Sequence, residues 1–290
     1  MIRRVLIVGT GLIGASIGLA LRAAGFEGEI VGTGPTVETL KTAQALGAVD
    51  SWCTREAADS EAEKSDLIVL CGPVLSILDW MQRLAPLLDE RHLITDVGST
   101  KVHISELAAK LYNQPGKARF LPGHPMAGKE SGGAAFAEAA IFQDAAWLFT
   151  PLEGVTPSAL EAEWRDWVAR FGARTMDLDA ARHDEICAWV SHLPQMLSTA
   201  LAALLEDTFA NDSTRRDEVA AIGGRALRET TRLGASPYSM WRDIALSNTE
   251  PIAAALHALE QRLAHLRENL RTPELREEFG LANEFRKRRE

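Results

Sequence analysis

The chain has 290 residues with 46% hydrophobic and 24% charged side chains, a composition that fits a globular protein with room for two domains. Its net charge of −9 argues against a nucleic-acid partner, and no apolar run is long enough to span a membrane. The three cysteines are too scattered for a disulfide framework or a metal site, so we expect a cytoplasmic protein that holds no metal.

Short apolar runs alternate with helical patterns in the first part of the chain. Residues 5–8 are typical of a strand buried on both faces, and a helix is predicted from residue 12 to residue 24. Further strands are predicted at residues 29–32, 66–71, 92–96, 147–150 and 173–177, and further helices at residues 37–46, 75–88 and around Trp164 and Trp167. This alternation predicts βαβ units around a parallel sheet.

Three glycines follow the first strand at the spacing GxGxxG. Gly9 allows a tight turn, Gly11 lets a pyrophosphate approach the backbone, and Gly14 lets the helix pack on the strand. The pyrophosphate would lie at the helix N-terminus, where backbone N–H groups such as those of Leu12 and Ile13 have no partner in the helix. A glycine-rich turn without a ligand is the alternative interpretation.

The end of the second predicted strand bears on the choice of cofactor. Enzymes that use NAD usually place Asp or Glu there to bind the ribose diol, whereas this chain reads Gly-Thr-Gly-Pro-Thr at residues 32–36. No acid is present to repel a 2′-phosphate, and the hydroxyls of Thr33 and Thr36 could hold one. We expect NAD or NADP as cofactor, with a slight preference for NADP or for dual use.

From about residue 179 onward the pattern predicts helices alone, at residues 183–206, 215–231 and 251–270, the first of them bent near Pro194. Leucines 256, 259, 263, 266 and 270 recur at helical spacing, which predicts a packed core or the seam of a dimer. We therefore predict an α/β N-terminal Rossmann-like dinucleotide-binding domain, residues 1–178, followed by an all-α C-terminal dimerisation domain, residues 179–290, in a homodimer.

A lone histidine, His124, lies in the glycine-rich segment 120–133. This segment is too rich in glycine to predict a helix or a strand, so we expect a loop that presents His124 to a pocket rather than to the core. Ser99 follows a predicted strand at the end where such sheets bind their ligands. It could hydrogen-bond a histidine or a substrate hydroxyl, or could cap the next helix.

Five motifs occur together and in order between residues 3 and 270. They are Gly-Thr-Gly-Leu-Ile-Gly at residue 9, Asp-Val-Gly-Ser-Thr-Lys at residue 96, Gly-His-Pro-Met-Ala-Gly at residue 123, His-Asp with Ser-His-Leu-Pro at residues 183 and 191, and Thr-Arg-Leu with Ser-Pro-Tyr-Ser-Met-Trp-Arg-Asp at residues 231 and 236. The set resembles the prephenate/arogenate dehydrogenase family of tyrosine biosynthesis.

The resemblance implies an oxidative decarboxylation of a small-molecule substrate, prephenate or arogenate, with hydride transfer to NAD(P). It implies that neutral His124 takes the proton of the substrate hydroxyl and that Ser99 orients it. It also implies that Glu130 and Asp184 form an ionic gate at the pocket rim with Arg232, which holds a substrate carboxylate. The further substrate-binding residues implied are His183, Ser191, His192, Gln195 and Trp241.

One position departs from the family pattern, because many relatives have histidine where this chain has Gln195. This leaves the substrate side chain open, with prephenate favoured and arogenate as the alternative. A β-hydroxyacid or 6-phosphogluconate type dehydrogenase would need a lysine in the helical half, and residues 130–286 contain none. A nucleotide-sensing module without catalysis is the second alternative, against which Ser99, His124 and Arg232 argue.

Overall fold

A six-stranded parallel sheet forms the centre of the N-terminal half of the computed structural model, which describes residues 1–129 and 131–288. Its strands are β1 (Arg4–Val8), β2 (Glu29–Thr33), β3 (Ser51–Cys53), β4 (Leu67–Leu70), β5 (Leu93–Asp96) and β6 (Arg119–Leu121). The strand order is β3-β2-β1-β4-β5-β6, so the chain adds strands on one side of β1 first and then on the other side, beginning with β4. Sheets of this kind bind dinucleotides at this switch point between β1 and β4.

Helices cover both faces of this sheet, which explains why its central strands are continuous apolar runs. The helices are α1 (Leu12–Ala23), α2 (Val37–Ala45), α3 (Ala58–Ala62), α4 (Val74–Leu84), α5 (Val102–Leu111) and α6 (Ala159–Arg170). Ile17 of α1 and Trp164 of α6 belong to the apolar core on one face. Ile77 of α4 and Ile104 of α5 belong to the core on the other. The predicted α/β fold of the N-terminal half is confirmed.

A second, three-stranded sheet corrects one sequence expectation. It consists of β7 (Gly123–Pro125), β8 (Ala146–Phe149) and β9 (Arg174–Asp177), and β7 runs antiparallel to β8 with His124 opposite Leu148. The segment around His124 was expected to be a loop facing a pocket, but it is a strand, and His124 is only 7% exposed. Its strand structure depends on the edge of β8, a distant partner that the local glycine content does not reveal.

The C-terminal half is helical, as predicted. Its elements are α7 (Ala180–Cys187), a π-helical turn (Ala188–His192), α8 (Leu193–Phe209), α9 (Ser213–Ile222), α10 (Arg225–Thr231), a 3₁₀ turn (Arg232–Ala235), α11 (Tyr238–Ser247), α12 (Thr249–Glu268) and α13 (Glu274–Lys287). The disturbance expected near Pro194 is the π turn just before it. Proline has no N–H to donate to the preceding turn, and the wider π turn accommodates this.

Two details of the helical half differ from the sequence prediction. The single helix predicted at residues 215–231 is two helices, because Gly223 and Gly224 lie outside both. The last helix, α13, was not predicted. The predicted core is only partly formed within this chain, because Leu259 and Leu266 are partly buried whereas Leu256 is 38% and Leu263 is 51% exposed. The other expectation, a seam between two copies, remains.

The two halves meet beside the carboxyl end of β5. Asp184 of α7 accepts hydrogen bonds from the backbone N–H groups of Lys101 and Val102, at 2.7 and 2.9 Å. The hydroxyls of Thr100 and Ser247 lie 2.7 Å apart across the same seam. Among the described residues, no helix is both long enough and apolar enough to cross a membrane.

Candidate active site

The glycine turn between β1 and α1 leaves open space at one position. A Cβ atom at Gly9 would lie 2.1 Å from the carbonyl oxygen of Cys71, and one at Gly14 would lie 2.0 Å from that of Gly9. A Cβ at Gly11 would meet nothing within 4 Å. The turn and the helix packing therefore require Gly9 and Gly14, whereas at Gly11 the backbone is open to a ligand. These residues fit a dinucleotide pyrophosphate at the N-terminus of α1.

Thr33 and Thr36, which were expected to contact the adenosine ribose, are buried and engaged in a helix cap, respectively. Thr33 ends β2 and is only 1% exposed. The Thr36 hydroxyl caps α2, where it accepts a hydrogen bond of 3.3 Å from the backbone N–H of Thr39 and lies 2.8 Å from the Thr39 hydroxyl. Thr33 is therefore turned away from solvent, and part of the hydrogen-bonding capacity of Thr36 is already used.

A buried ion pair holds the backbone of Gly123, the first residue of the strand that carries His124. Lys101 is fully buried, and its ammonium group pairs with the carboxylate of Asp96 at the end of β5. The same ammonium donates to the carbonyl oxygen of Gly123 at 2.7 Å, and Asp96 accepts from the N–H of Gly123 at 3.1 Å. Both polar groups of Gly123 are thus held by one ion pair, immediately before His124.

His124 is the first member of a row of three polar side chains. Its Nδ1 lies 2.9 Å from Nε2 of His183, whose Nδ1 lies 2.7 Å from a carboxylate oxygen of Asp184. In the described part of the chain no hydrogen bond uses Nε2 of His124, so this nitrogen is available to a ligand. Ser99 lies partly buried in the segment between β5 and α5, and no hydrogen bond joins it to His124 among the described residues.

His183 and Asp184 lie deeper than the sequence suggested. They were expected at a pocket rim, but they are 0% and 2% exposed. Asp184 binds the two N–H groups at the start of α5 and is therefore held inside the seam between the two halves. Glu130, the other acid of the expected gate, lies outside the described residues.

The π turn brings His192 toward Trp241. The rings are 5.8 Å apart, edge to face, and Nδ1 of His192 lies 3.1 Å from the amide nitrogen of Asn248. Because the amide N–H₂ can only donate, Nδ1 accepts and the proton of neutral His192 lies on Nε2. Nε2 of His192 and Nε1 of Trp241 are buried and have no hydrogen-bond partner among the described residues. These two buried N–H groups are therefore candidate donors for a ligand.

Gln195 organises the segment that carries Arg232. Its amide N–H₂ donates to the carbonyl oxygen of Leu233 at 2.7 Å, and its amide oxygen accepts from the hydroxyl of Ser236 at 3.2 Å. Gln195 is 4% exposed and ties α8 to the 3₁₀ turn that Arg232 begins. Arg232 itself is exposed, and Ser191 lies partly buried in the π turn.

Burial keeps the three histidines of the site neutral. It lowers the pKa of His124 well below the usual 6.5, and His183 and Lys101 act in the same direction. Burial also lowers the pKa of His183, although Asp184 acts against this, and it lowers the pKa of His192 to about 4. A neutral His124 can accept a proton, which is the condition for a general base.

The same cluster has a spacing that would also admit a metal ion. One ring nitrogen each of His124 and His183 and the Sγ of Cys187 all lie within 4.8 Å of one another. Nδ1 of His124 and Nε2 of His183 are at hydrogen-bond distance, and the thiol lies 3.6 Å from the same Nε2. Burial raises the pKa of Cys187 to about 12, so the thiol keeps its proton. We interpret His124 and Cys187 as hydrogen-bond partners of His183.

Comparison with known proteins identifies the family. Residues 17–176 match the family model of the prephenate dehydrogenase nucleotide-binding domain, and residues 179–284 match that of the prephenate dehydrogenase dimerization domain. The chain belongs to the prephenate dehydrogenase family. It is therefore a dehydrogenase that depends on a nicotinamide dinucleotide, and its C-terminal half corresponds to the dimerization domain of the family.

Individual family members agree with this assignment. The prephenate dehydrogenase of Lactococcus lactis is 33% identical over 267 residues, which cover 92% of this chain and 70% of that protein. The crystal structure of the A. aeolicus prephenate dehydrogenase in complex with hydroxyphenyl propionate and NAD+ is 29% identical, with a TM-score of 0.85 over 100% of this chain and 98% of that chain. The Synechocystis arogenate dehydrogenase structure is 29% identical, with a TM-score of 0.77 over 99% of this chain and 100% of that chain.

Sequence reasoning missed several residues that build this site. Asp96 and Lys101 are the first and last residues of the Asp-Val-Gly-Ser-Thr-Lys motif, but the sequence analysis assigned them no role. The signal was an acid at the end of a buried strand with a lysine five residues later. Asn248, which contacts both Asp184 and His192, gave no sequence signal. Its importance depends on the packing of α12 against the π turn.

Proposed function

We propose that this chain is a prephenate dehydrogenase, which oxidises prephenate at C4 and releases carbon dioxide to form 4-hydroxyphenylpyruvate. The observation that supports this best is the state of His124. It is a buried, neutral histidine with one ring nitrogen held by His183 and the other available to a substrate. It follows β6 at the carboxyl end of the parallel sheet whose first strand leads into the glycine turn that fits a dinucleotide.

In this mechanism the chain positions the substrate and manages one proton. When bound, the nicotinamide ring accepts the hydride from C4. Nε2 of His124 accepts the proton of the C4 hydroxyl, and Ser99, in the turn after β5, orients the hydroxyl. Burial of His124 excludes water from the proton transfer. Aromatisation of the ring supplies the driving force, so the protein needs little further chemistry.

The substrate carries two carboxylates, and the C-terminal half offers donors for them. Neutral His192 and Trp241 each present a buried N–H group without a partner among the described residues. Arg232, at the start of the turn held by Gln195, supplies a guanidinium that can bind a carboxylate with two parallel hydrogen bonds. We assign substrate binding to these three side chains, with Ser191 beside them.

Prephenate and arogenate differ in the side chain, which ends in a keto acid or an amino acid. Gln195 replaces a histidine found at this position in many relatives, and its amide is fully engaged with Leu233, Thr199 and Ser236. It offers no negative charge for the ammonium group of arogenate. We therefore favour prephenate, with arogenate as the alternative substrate.

The cofactor preference and the assembly are part of the same proposal. Residues 32–36 contain no acid that would repel a 2′-phosphate, which favours NADP or dual use, although Thr33 is buried and Thr36 caps a helix. The exposed leucines of α12 support a homodimer, since Leu263 is half exposed in the single chain. We place the enzyme in the cytoplasm because its cysteines are all free thiols.

The test is reduction of NAD and of NADP by the purified protein, with prephenate and with arogenate, followed by the absorbance of the reduced nicotinamide. We expect turnover with prephenate. His124→Asn should lower kcat by roughly 10²–10⁴-fold and leave cofactor affinity unchanged. If a folded protein that binds cofactor showed no turnover with any of the four combinations of cofactor and substrate, the proposal would be contradicted and a nucleotide sensor favoured.

A further inference from the structure

The row of side chains behind His124 has a defined direction of hydrogen bonding. Asp184 is buried, and its two carboxylate oxygens accept from the backbone N–H groups of Lys101 and Val102. These contacts place the carboxylate at the N-terminus of α5, where the helix dipole favours a negative charge. An ionised carboxylate can only accept hydrogen bonds. The ring nitrogen that faces it, Nδ1 of His183 at 2.7 Å, must therefore carry a proton.

The proton position on His183 determines the proton position on His124. Neutral His183 with its proton on Nδ1 has an unshared electron pair on Nε2. Nδ1 of His124 lies 2.9 Å from that nitrogen, so Nδ1 of His124 is the donor and carries the proton. Neutral His124 then has its electron pair on Nε2, the nitrogen that no described residue uses.

We propose that Asp184 and His183 are positioning residues that hold His124 in the tautomer with a basic Nε2 and share the positive charge that His124 gains during the reaction. The inference rests on the proposed oxidation of a C4 hydroxyl, and it moves His183 and Asp184 from the expected substrate contacts and rim gate to the support of the base. Cys187 lies 3.6 Å from the same Nε2 of His183 and adds a weak donor there.

The proton balance explains why shared charge is useful. During oxidation the O–H bond breaks, its proton forms an N–H bond at Nε2 of His124, and its electron pair forms the C4=O bond as hydride leaves C4. When carbon dioxide leaves, the electron pair of the broken C–C bond enters the ring and the C4 oxygen becomes a phenolate. The phenolate takes the proton back from Nε2. The base is therefore charged only between the two steps.

Burial opposes even this brief charge, so a counter-charge must be close. Asp184 supplies it through His183, because a proton on His124 strengthens the hydrogen bond from Nδ1 to Nε2 of His183. Among the described residues, the other charged groups that act on the pair are Lys101 and Asp96, which neutralise each other. His192, the remaining neighbour, is neutral because burial lowers its pKa to about 4.

The first test reads the tautomer directly, without substrate. Nitrogen NMR of ring-labelled histidine distinguishes a protonated from an unprotonated ring nitrogen, and the His124 signals are assigned by their loss in His124→Asn. We expect protonated Nδ1 and unprotonated Nε2 in the wild type at neutral pH, and a mixture of tautomers in His183→Leu. A wild-type His124 with its proton on Nε2 would overturn the proposal.

The second test separates positioning from substrate binding. His183→Leu should lower kcat by roughly 10²-fold while KM changes by less than about threefold, because the effect is on the base and not on substrate affinity. His183→Gln should recover part of the loss, since its amide oxygen can accept from Nδ1 of His124. The matched control is His103→Gln, which alters an exposed histidine of α5 and should leave both constants unchanged.

The outcomes remain distinguishable if one part fails. A folded His183→Leu with unchanged kcat and unchanged tautomer would overturn the positioning role, as would a raised KM with normal kcat. If His183→Leu does not fold, the kinetics of His183→Gln and the wild-type NMR spectrum decide whether His183 positions His124. If the wild type turns over neither substrate, the proposed function fails, while the spectrum still tests the hydrogen-bonded row.

Discussion

At the scale of single residues, Lys101 has an unusual environment for a lysine. Its side chain is fully buried, and it pairs with the equally buried carboxylate of Asp96. A buried ion pair is weak evidence for stability, because removing both charges from water can cost more than their attraction returns. Lys101 holds the carbonyl group of Gly123 and Asp96 holds its N–H group, so the ion pair fixes the backbone that carries His124. These contacts indicate a positioning role.

Removing the lysine charge should show how strongly the interior depends on this pair. Lys101→Met leaves the carboxylate of Asp96 buried without its cation, so we expect the free energy of unfolding to fall by about 3–5 kcal/mol in urea denaturation. Lys64→Met is the control, since Lys64 pairs with Glu61 at the surface and should change stability by less than about 1 kcal/mol. Equal effects of the two variants would contradict this account.

The buried neutral histidines predict a pH dependence of stability. His192 has a pKa of about 4 in the folded state and about 6.5 when unfolded, so the unfolded state binds more protons between these values. The stability it contributes is therefore complete above pH 6.5 and is lost as the pH falls toward 4, by up to about 1.4 kcal/mol per pH unit for each such histidine.

Variants can assign this loss to a particular ring. His192→Gln should reduce the slope of unfolding free energy against pH between 6.5 and 4, measured by urea denaturation at several pH values. His257→Gln removes an exposed histidine of α12 and should leave the slope unchanged. If the His192 variant keeps the wild-type slope, its ring is not neutral and buried in the folded state.

At the scale of elements, the glycines of the turn between β1 and α1 differ in whether the fold itself requires them. Gly14→Ala brings a Cβ within 2.0 Å of the Gly9 carbonyl, so we expect lower stability and lower cofactor affinity together. Gly11→Ala meets nothing within 4 Å, and Gly11 has an ordinary φ of −74°. For Gly11→Ala we expect the free energy of unfolding to change by less than about 0.5 kcal/mol, while the Kd for NAD(P) rises at least about tenfold.

Thermal unfolding and cofactor titration, each on both variants, check this separation. Gly280→Ala in α13 serves as the control, because its added Cβ also meets nothing within 4 Å and lies far along the chain from the turn. Unchanged affinity in a stable Gly11→Ala protein would mean that the pyrophosphate does not approach the backbone there.

At the scale of the whole molecule, the exposed leucines of α12 indicate that one chain is incomplete. Leu256 and Leu263 of α12 and Leu270, two residues beyond its end, are spaced seven residues apart along the chain, and their exposures are 38%, 51% and 63%. Leu263→Glu should place a charge in the seam between two copies and convert the dimer into monomers, as measured by analytical ultracentrifugation. Leu46→Glu, at a similarly exposed leucine of the N-terminal half, should leave the assembly intact. A monomeric wild type would contradict the expected dimer.

Local pattern was sufficient for much of the architecture. Buried strands such as β4 are continuous apolar runs in the sequence, and the change from alternating strands and helices to helices alone near residue 179 was visible there as well. The break at Gly223 and Gly224 was missed because a pair of glycines lowers helix propensity without excluding a helix. The strand that carries His124 was missed because its pairing partner, β8, is more than twenty residues away.

The sequence by itself determined the fold class, the glycine turn for the dinucleotide and the histidine that serves as the candidate base. These depend on periodicity and on motifs, which are local properties of the chain. Only the tertiary structure decided what each side chain contacts. His183 lies 59 positions from His124 and Asp184 lies 83 from Lys101, yet each pair is in hydrogen-bond contact. Such contacts form when separate elements pack together, and no local pattern encodes their distance or direction.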